Sequence, residues 1–364
     1  MKNTIRYILL SVMAFAAVSS LSGCRVAEQS GRGTVESVER ILSGEGRGYA
    51  LLKGFDARDS RGSIALIGPR DRNDSLAIRF ITNDDFDNID GRRTPDLLPD
   101  FAGEVFDIIA DDANSPYSSF LGSDTDGLRS VAVQNFISAI DTACSMGAFD
   151  DELLTAKEGA KIVVLTSPLQ AESGAFDIDT LCRSLGAPVP VIFPSRQAFE
   201  NQLDRDIPHL HVAVMTDGET AESGVYPRVF DEIARQRGIL GVGCIAFARD
   251  TLAPLTSFLS DYKSSGGNMP ISAIIVDDLT VSVSDVQAAF DYIMTVQNEA
   301  NLDARKLLTK DCVVVDMQKE VTDKCHSILR THNIFTHNIA YPAYRRYSTV
   351  RSTSGEGYKL VEQD

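Results

Sequence analysis

The chain has 364 residues, 43% apolar and 24% charged, with six cysteines and no tryptophan. That apolar share supports a packed core and excludes a largely disordered polypeptide. A net charge of −16 opposes binding to nucleic acid and to anionic lipid headgroups, and the length exceeds that of one compact domain, so two lobes are expected.

The first element is a leader. Lys2 and Arg6 precede an apolar run from Ile8 to Val18, and Leu21-Ser22-Gly23-Cys24 follows. A positive flank, a short apolar core and small residues describe a cleaved export signal. The run falls short of the roughly 20 apolar residues of a membrane span. Leu21 to Cys24 resembles the lipobox of bacterial lipoproteins. The resemblance implies removal of residues 1–23, acylation of the Cys24 thiol, and a body tethered to a membrane by lipid. Arg25 follows the cysteine where the enterobacterial sorting pattern for inner-membrane retention has Asp. By that resemblance the outer membrane is favoured, with the body facing the periplasm or the exterior. Residues 24–47 read as a polar spacer, with room for a short helix around Val35 to Leu42.

Beyond the spacer, short apolar runs alternate with amphipathic stretches. Strands are predicted at Ser63–Ile67, Leu76–Ile81, Val105–Ala110, Lys161–Thr166, Val189–Phe193, His211–Thr216, Leu240–Phe247, Ile271–Val276 and Cys312–Asp316. Helices are predicted at Leu128–Cys144, Asp179–Leu185, Ser195–Leu203, Tyr226–Arg237, Leu255–Tyr262, Val283–Val296 and Lys319–Thr331. Continuous apolar strands separated by helices imply parallel sheets covered on both faces, an α/β doubly wound class. The stretch Asp150 to Lys161 reads as a helix or surface loop where the chain passes between lobes. The expected organisation is a first lobe over 48–155, a second over 156–299, a return to the first over about 300–342, and a peripheral polar tail over 343–364. Five cysteines besides Cys24 show no metal-binding or CxxC spacing, and a Cys312–Cys325 bridge stays open.

Ligands of open α/β sheets bind beyond the carboxyl ends of the strands. Four such ends are rich in acids, amides and hydroxyls, and they nominate Asp112, Asn114, Tyr117, Ser167, Thr216, Asp217 and Asp278 as binding residues for a small polar ligand. Helix capping and turn formation explain any one of them equally well. Sharper motifs fail. Val214 to Glu219 resembles a strand end of von Willebrand A domains, but Asp56, Asp59, Ser60 and Ser63 lack the accompanying spacing. Asp177-Ile178-Asp179-Thr180 resembles a haloacid-dehalogenase nucleophile loop without its preceding strand, and a helix N-cap suits Asp177 or Asp179 better. Asp84, Asp85, Asp87 and Asp90 miss the EF-hand pattern and read as a solvated loop. No HExxH, GxSxG, GxGxxG or Walker loop occurs among the histidines, serines and glycines. No catalytic residue, metal site or cofactor is nominated.

With the lipobox, the acidic body and two runs of βα units, the chain resembles type I periplasmic-binding-protein-like lipoproteins. Ile271 to Asp278, with a helix from about Val283, is similar to the strand ends that line their cleft. The resemblance implies two Rossmann-like lobes closing on a small polar solute, for uptake or sensing, with a transporter permease as a partner still open. The alternatives are an exported metal-dependent hydrolase or phosphatase using the same acids, and a surface adhesin or assembly lipoprotein.

Overall fold

The computed structural model describes residues 33–363 except 45, 89–90, 146, 150–152, 156, 249–253, 337, 339 and 353–356. Cys24, Asp90 and His337 lie outside the described residues. Two short helices come first, α1 (Glu36–Leu42) and α2 (Gly46–Lys53). The first α/β unit then runs β1 (Ser63–Gly68), α3 (Arg70–Thr82), β2 (Val105–Ala110), α4 (Thr125–Ile140), β3 (Ala143–Ser145), β4 (Leu153–Thr155), β5 (Ala160–Leu165), α5 (Pro168–Leu185), β6 (Val191–Ile192) and α6 (Pro194–Leu203). The second runs β7 (His211–Thr216), α7 (Gly218–Glu222), α8 (Val225–Gln236), β8 (Gly243–Ala248), α9 (Pro254–Ser264), β9 (Ile271–Val276), α10 (Val283–Thr295), α11 (Glu299–Arg305) and β10 (Leu308–Asp316). The chain returns through α12 (Met317–His332) to β11 (Ala343–Arg351) and β12 (Tyr358–Gln363).

The strands form two sheets, ordered β4-β3-β12-β11-β2-β1-β5-β6 and β10-β9-β7-β8. Most neighbours are parallel; β11–β12 and β3–β4 are antiparallel. With β3 and β4 set aside, the order β2-β1-β5-β6 takes the remaining strands of the first unit as second, first, third, fourth, and β8-β7-β9-β10 repeats that order in the second. Each lobe is therefore a doubly wound unit whose strand order reverses between its first and third strands. Every residue of β1, β5, β7 and β9 is buried, as expected of strands covered on both faces. Gly174 of α5 lets α4 come close, since a Cβ there would stand 2.3 Å from the Ala132 methyl. Gly186, at φ +65°, ends α5 in the left-handed conformation that glycine adopts without strain.

The two-lobe α/β expectation holds, and several finer expectations do not. Leu76–Ile81 is not a strand but the second half of α3, where Leu76, Ala77 and Phe80 are buried and Ile78 points to solvent, a helical rather than alternating pattern. β5 and β6 belong to the first sheet, where β5 pairs with β1, so the chain crosses between lobes at α6, whose Ala198, Phe199 and Leu203 pack with Val212 and Tyr226 of the second lobe. Cys312–Asp316 belongs to the second sheet, paired with β9, and the return is made by α12. The polar tail is two strands, with β11 hydrogen-bonded to β2. Its polarity misleads because Arg345 is neutralised by the buried Asp107 at 2.9 Å and Arg346 by the half-exposed Asp74 at 2.5 Å.

Neither Asp177 nor Asp179 is an N-cap. Both sit inside α5, which starts at Pro168, and Ile178 between them is buried in the core. The loop after α3 is pinned rather than merely solvated. Asp84 accepts from the backbone at Asp96 and Leu97, each at 3.0 Å, and Asp85 pairs with Lys319 of α12. Cys144, Cys182, Cys244, Cys312 and Cys325 are all free thiols, so Cys312 and Cys325 form no bridge.

Candidate functional site

The carboxyl ends of the two sheets meet at the seam between the lobes. Arg72 lies in the first turn of α3, just past the end of β1, and its guanidinium crosses to the second lobe. Nη1 donates to both oxygens of Asp277 at 3.1 and 3.2 Å, and Nη2 donates to Asp217 Oδ2 at 3.0 Å. Asp217 follows β7 and Asp277 follows β9, the first and third strands of their unit, so the pair flanks the point where strand order reverses. The Arg72 and Asp277 side chains are 12% and 9% exposed, while Asp217 is 48% exposed. The buried Tyr226 hydroxyl donates to Asp277 from α8.

Electrostatics follow from that burial. Desolvation works against the Arg72 charge, but Asp277, Tyr226 and Asp217 hold its pKa above the ordinary value. Burial raises the Asp277 carboxyl, and Arg72 and the Tyr226 hydroxyl offset this only in part. Burial also opposes the Asp217 charge, yet the Thr220 backbone and hydroxyl donors and Arg72 bring its pKa below the usual value. Asp217 is the N-cap of α7, accepting from Thr220 N at 2.9 Å. The first lobe thus offers Arg72 to the seam, and the second offers Asp217 and Asp277.

The structure places the residues nominated from sequence in different settings. Asp217 alone of them is held by Arg72. Thr216 and Ser167 are buried at the ends of β7 and β5, and Asp112 is an exposed partner of Arg70 at 2.5 Å. Asn114 and Tyr117 are turned to a different task. Both donate to Asp111, from Nδ2 at 2.8 Å and from the hydroxyl at 2.7 Å, and Asn135 Nδ2 and Thr349 Oγ1 add bonds at 2.7 and 2.6 Å. One buried carboxylate therefore fixes the loop after β2 to α4 and β11. Asp278 accepts from Thr280 N and Oγ1 at 2.8 and 2.7 Å, a local turn. Its neighbour Asp277 is the acid that meets Arg72.

Arg72, Asp277 and Tyr226 are not among the residues that the sequence nominates. Reading Leu76–Ile81 as a strand hides the start of α3, and with it the role of Gly68-Pro69-Arg70-Asp71-Arg72 as the segment leaving the end of β1. The first lobe's strand ends are knitted by Asn73, which donates to Gly68 O and Ile109 O at 3.1 and 2.8 Å and accepts from Thr166 Oγ1 at 2.7 Å. Among the described residues, both amide atoms of the buried Gln170 and the hydroxyl of the buried Ser195, at the starts of α5 and α6, have no protein partner.

Among the described residues no group of three or more His, Cys, Asp or Glu side chains is placed to hold a metal ion. Asp217 and Asp277 are bridged by a guanidinium, which disfavours their use as joint metal ligands. Burial raises the pKa of all five thiols, Cys182 and Cys312 to about 12, so none is poised as a thiolate nucleophile.

No protein-family model matches the sequence, and no curated protein is significantly similar to it. Several solved structures align with this chain over most of its length. Glutamate racemase RacE1 from Bacillus anthracis is 14% identical, with 81% of this chain and 91% of that one covered, at a TM-score of 0.48. Glutamate racemase from Francisella tularensis in complex with D-glutamate is 14% identical over 80% and 89% of the two chains, at a TM-score of 0.48. Glutamate racemase from Aquifex pyrophilus is 15% identical over 81% and 92%, at a TM-score of 0.40. Likeness at this level carries neither a substrate nor a mechanism to this chain.

Proposed function

We propose that this protein is a lipid-anchored, extracytoplasmic solute-binding protein whose interlobe seam takes a small zwitterionic solute. The observation that supports it is the Arg72 bridge from the first lobe to Asp217 and Asp277 of the second. A purely anionic solute entering the seam meets two carboxylates, and a purely cationic one meets the guanidinium. A zwitterion replaces one set of ion pairs with two: its carboxylate takes Arg72, and its ammonium takes Asp217 and Asp277. Asp217 is the more exposed partner and the one a ligand carboxylate displaces at least cost. The unpartnered Gln170 amide and Ser195 hydroxyl supply further polar groups at neighbouring strand ends.

The anchor is Cys24 and the address the outer membrane, on the strength of the lipobox-like Leu21 to Cys24 and of Arg25 after it. Native mass spectrometry of protein extracted gently from membranes tests the binding reading. A small co-purified solute, released on unfolding and missing from Arg72→Met, is expected. A wild-type protein that carries none, together with no binding of any added zwitterion, contradicts it.

A further inference from the structure

The chain enters the folded body at a clamped point. Arg129 of α4 donates from Nε and Nη2 to the buried Asp177 of α5 at 2.7 and 2.9 Å, and Nη2 also reaches Gly33 O at 2.7 Å. Asp177 Oδ1 accepts in addition from Val35 N at 3.4 Å. Val35, Val38 and Leu52 are buried in the same core as α4 and α5. A buried ion pair bonded to the backbone at residues 33 and 35 holds the incoming segment to one place on the first lobe.

We propose that this clamp orients the body, making the face built from α1, α2 and the adjoining parts of α4 and α5 the surface that lies against the bilayer headgroups. The proposal rests on the reading of Cys24 as the lipid anchor. From Cys24 to Gly33 the chain is about nine residues long, a leash that spans at most roughly 30 Å. A body of this length is roughly 50 Å across. The leash is too short to bring the far side round to the membrane. Charge agrees with that orientation. Residues 34–54 carry Glu36, Glu39 and Glu45 against Arg40, Arg47 and Lys53, and the acidic excess of the chain lies entirely beyond them. The leash itself bears Arg25 and Arg32 against Glu28. The helices of the clamped face are thus charge-balanced, and are repelled less by anionic headgroups than the acidic body as a whole. The second lobe, attached only through the first, stays clear of the bilayer.

The test uses the full lipidated protein on vesicles whose headgroups carry a short photoactivatable cross-linker, with labelled peptides identified by mass spectrometry. Labelling of 34–54 is expected to exceed that of 254–305 by roughly fivefold or more, because the leash keeps the first lobe within its own reach. A Gly/Ser insertion of about 30 residues after Ser30 raises the maximum span to well over roughly 100 Å and should even out the labelling. Equal labelling of both regions without the insertion overturns the proposal. Cys24→Ser should lose vesicle binding; a variant that stays bound sinks the anchor reading itself, which separates the two failures.

Discussion

Removing the guanidinium that joins the lobes should cost more than an ordinary surface contact. Arg72 lies within 3.0–3.2 Å of three carboxylate oxygens on Asp217 and Asp277. At an effective dielectric near 20, one such contact is worth about 4 kcal/mol before desolvation is counted. Breaking a buried pair by deleting one partner typically costs about 3–5 kcal/mol, because the other charge stays buried. Arg72→Met is therefore expected to lower unfolding free energy by about 3 kcal/mol. Asp277→Asn, which keeps the shape and the acceptor for Tyr226, should cost less. Urea denaturation of the two single variants and the double variant gives the coupling. An interaction energy of about 2 kcal/mol is expected, and additivity within about 0.5 kcal/mol refutes the interlobe bridge.

Three other perturbations probe particular groups. Asp111→Ala strands the donors of Asn114, Tyr117, Asn135 and Thr349 and should destabilise the protein by about 3–5 kcal/mol, with Asp111→Asn milder, as read by urea denaturation. Burial, aided by the Arg330 charge, lowers the His326 pKa to about 4, so the unfolded chain binds a proton below pH about 6.5 that the native protein does not. Stability is then full above that pH and falls as pH drops towards 4, by up to about 3 kcal/mol, a slope that His326→Phe should remove. Metabolic labelling with a fatty acid should mark the wild type and leave Cys24→Ser unmarked; equal labelling would end the anchor reading.

The alternation of buried apolar runs makes the parallel sheets legible, and β7 and β9 lie where their patterns place them. Two things stay hidden. Leu76 to Ile81 is as apolar as a strand, and only its partners show that Ile78 faces solvent while Phe80 packs inward; that single misreading conceals Arg72. The tail is polar because Arg345 and Arg346 meet acids supplied from Asp107 and Asp74, more than two hundred residues away in sequence, a long-range pairing that local pattern does not carry. Choosing between Asp277 and Asp278 likewise depends on which side chain faces the other lobe.

The most direct measurement is a calorimetric titration of the protein with a size-matched zwitterion, anion and cation. The zwitterion is expected to bind, and Arg72→Met and Asp277→Asn are each expected to weaken it at least about 30-fold, the effect of losing one desolvated charge pair. Tight binding that both variants leave unchanged, or a preference for the anion or the cation, would contradict a zwitterion site at the seam.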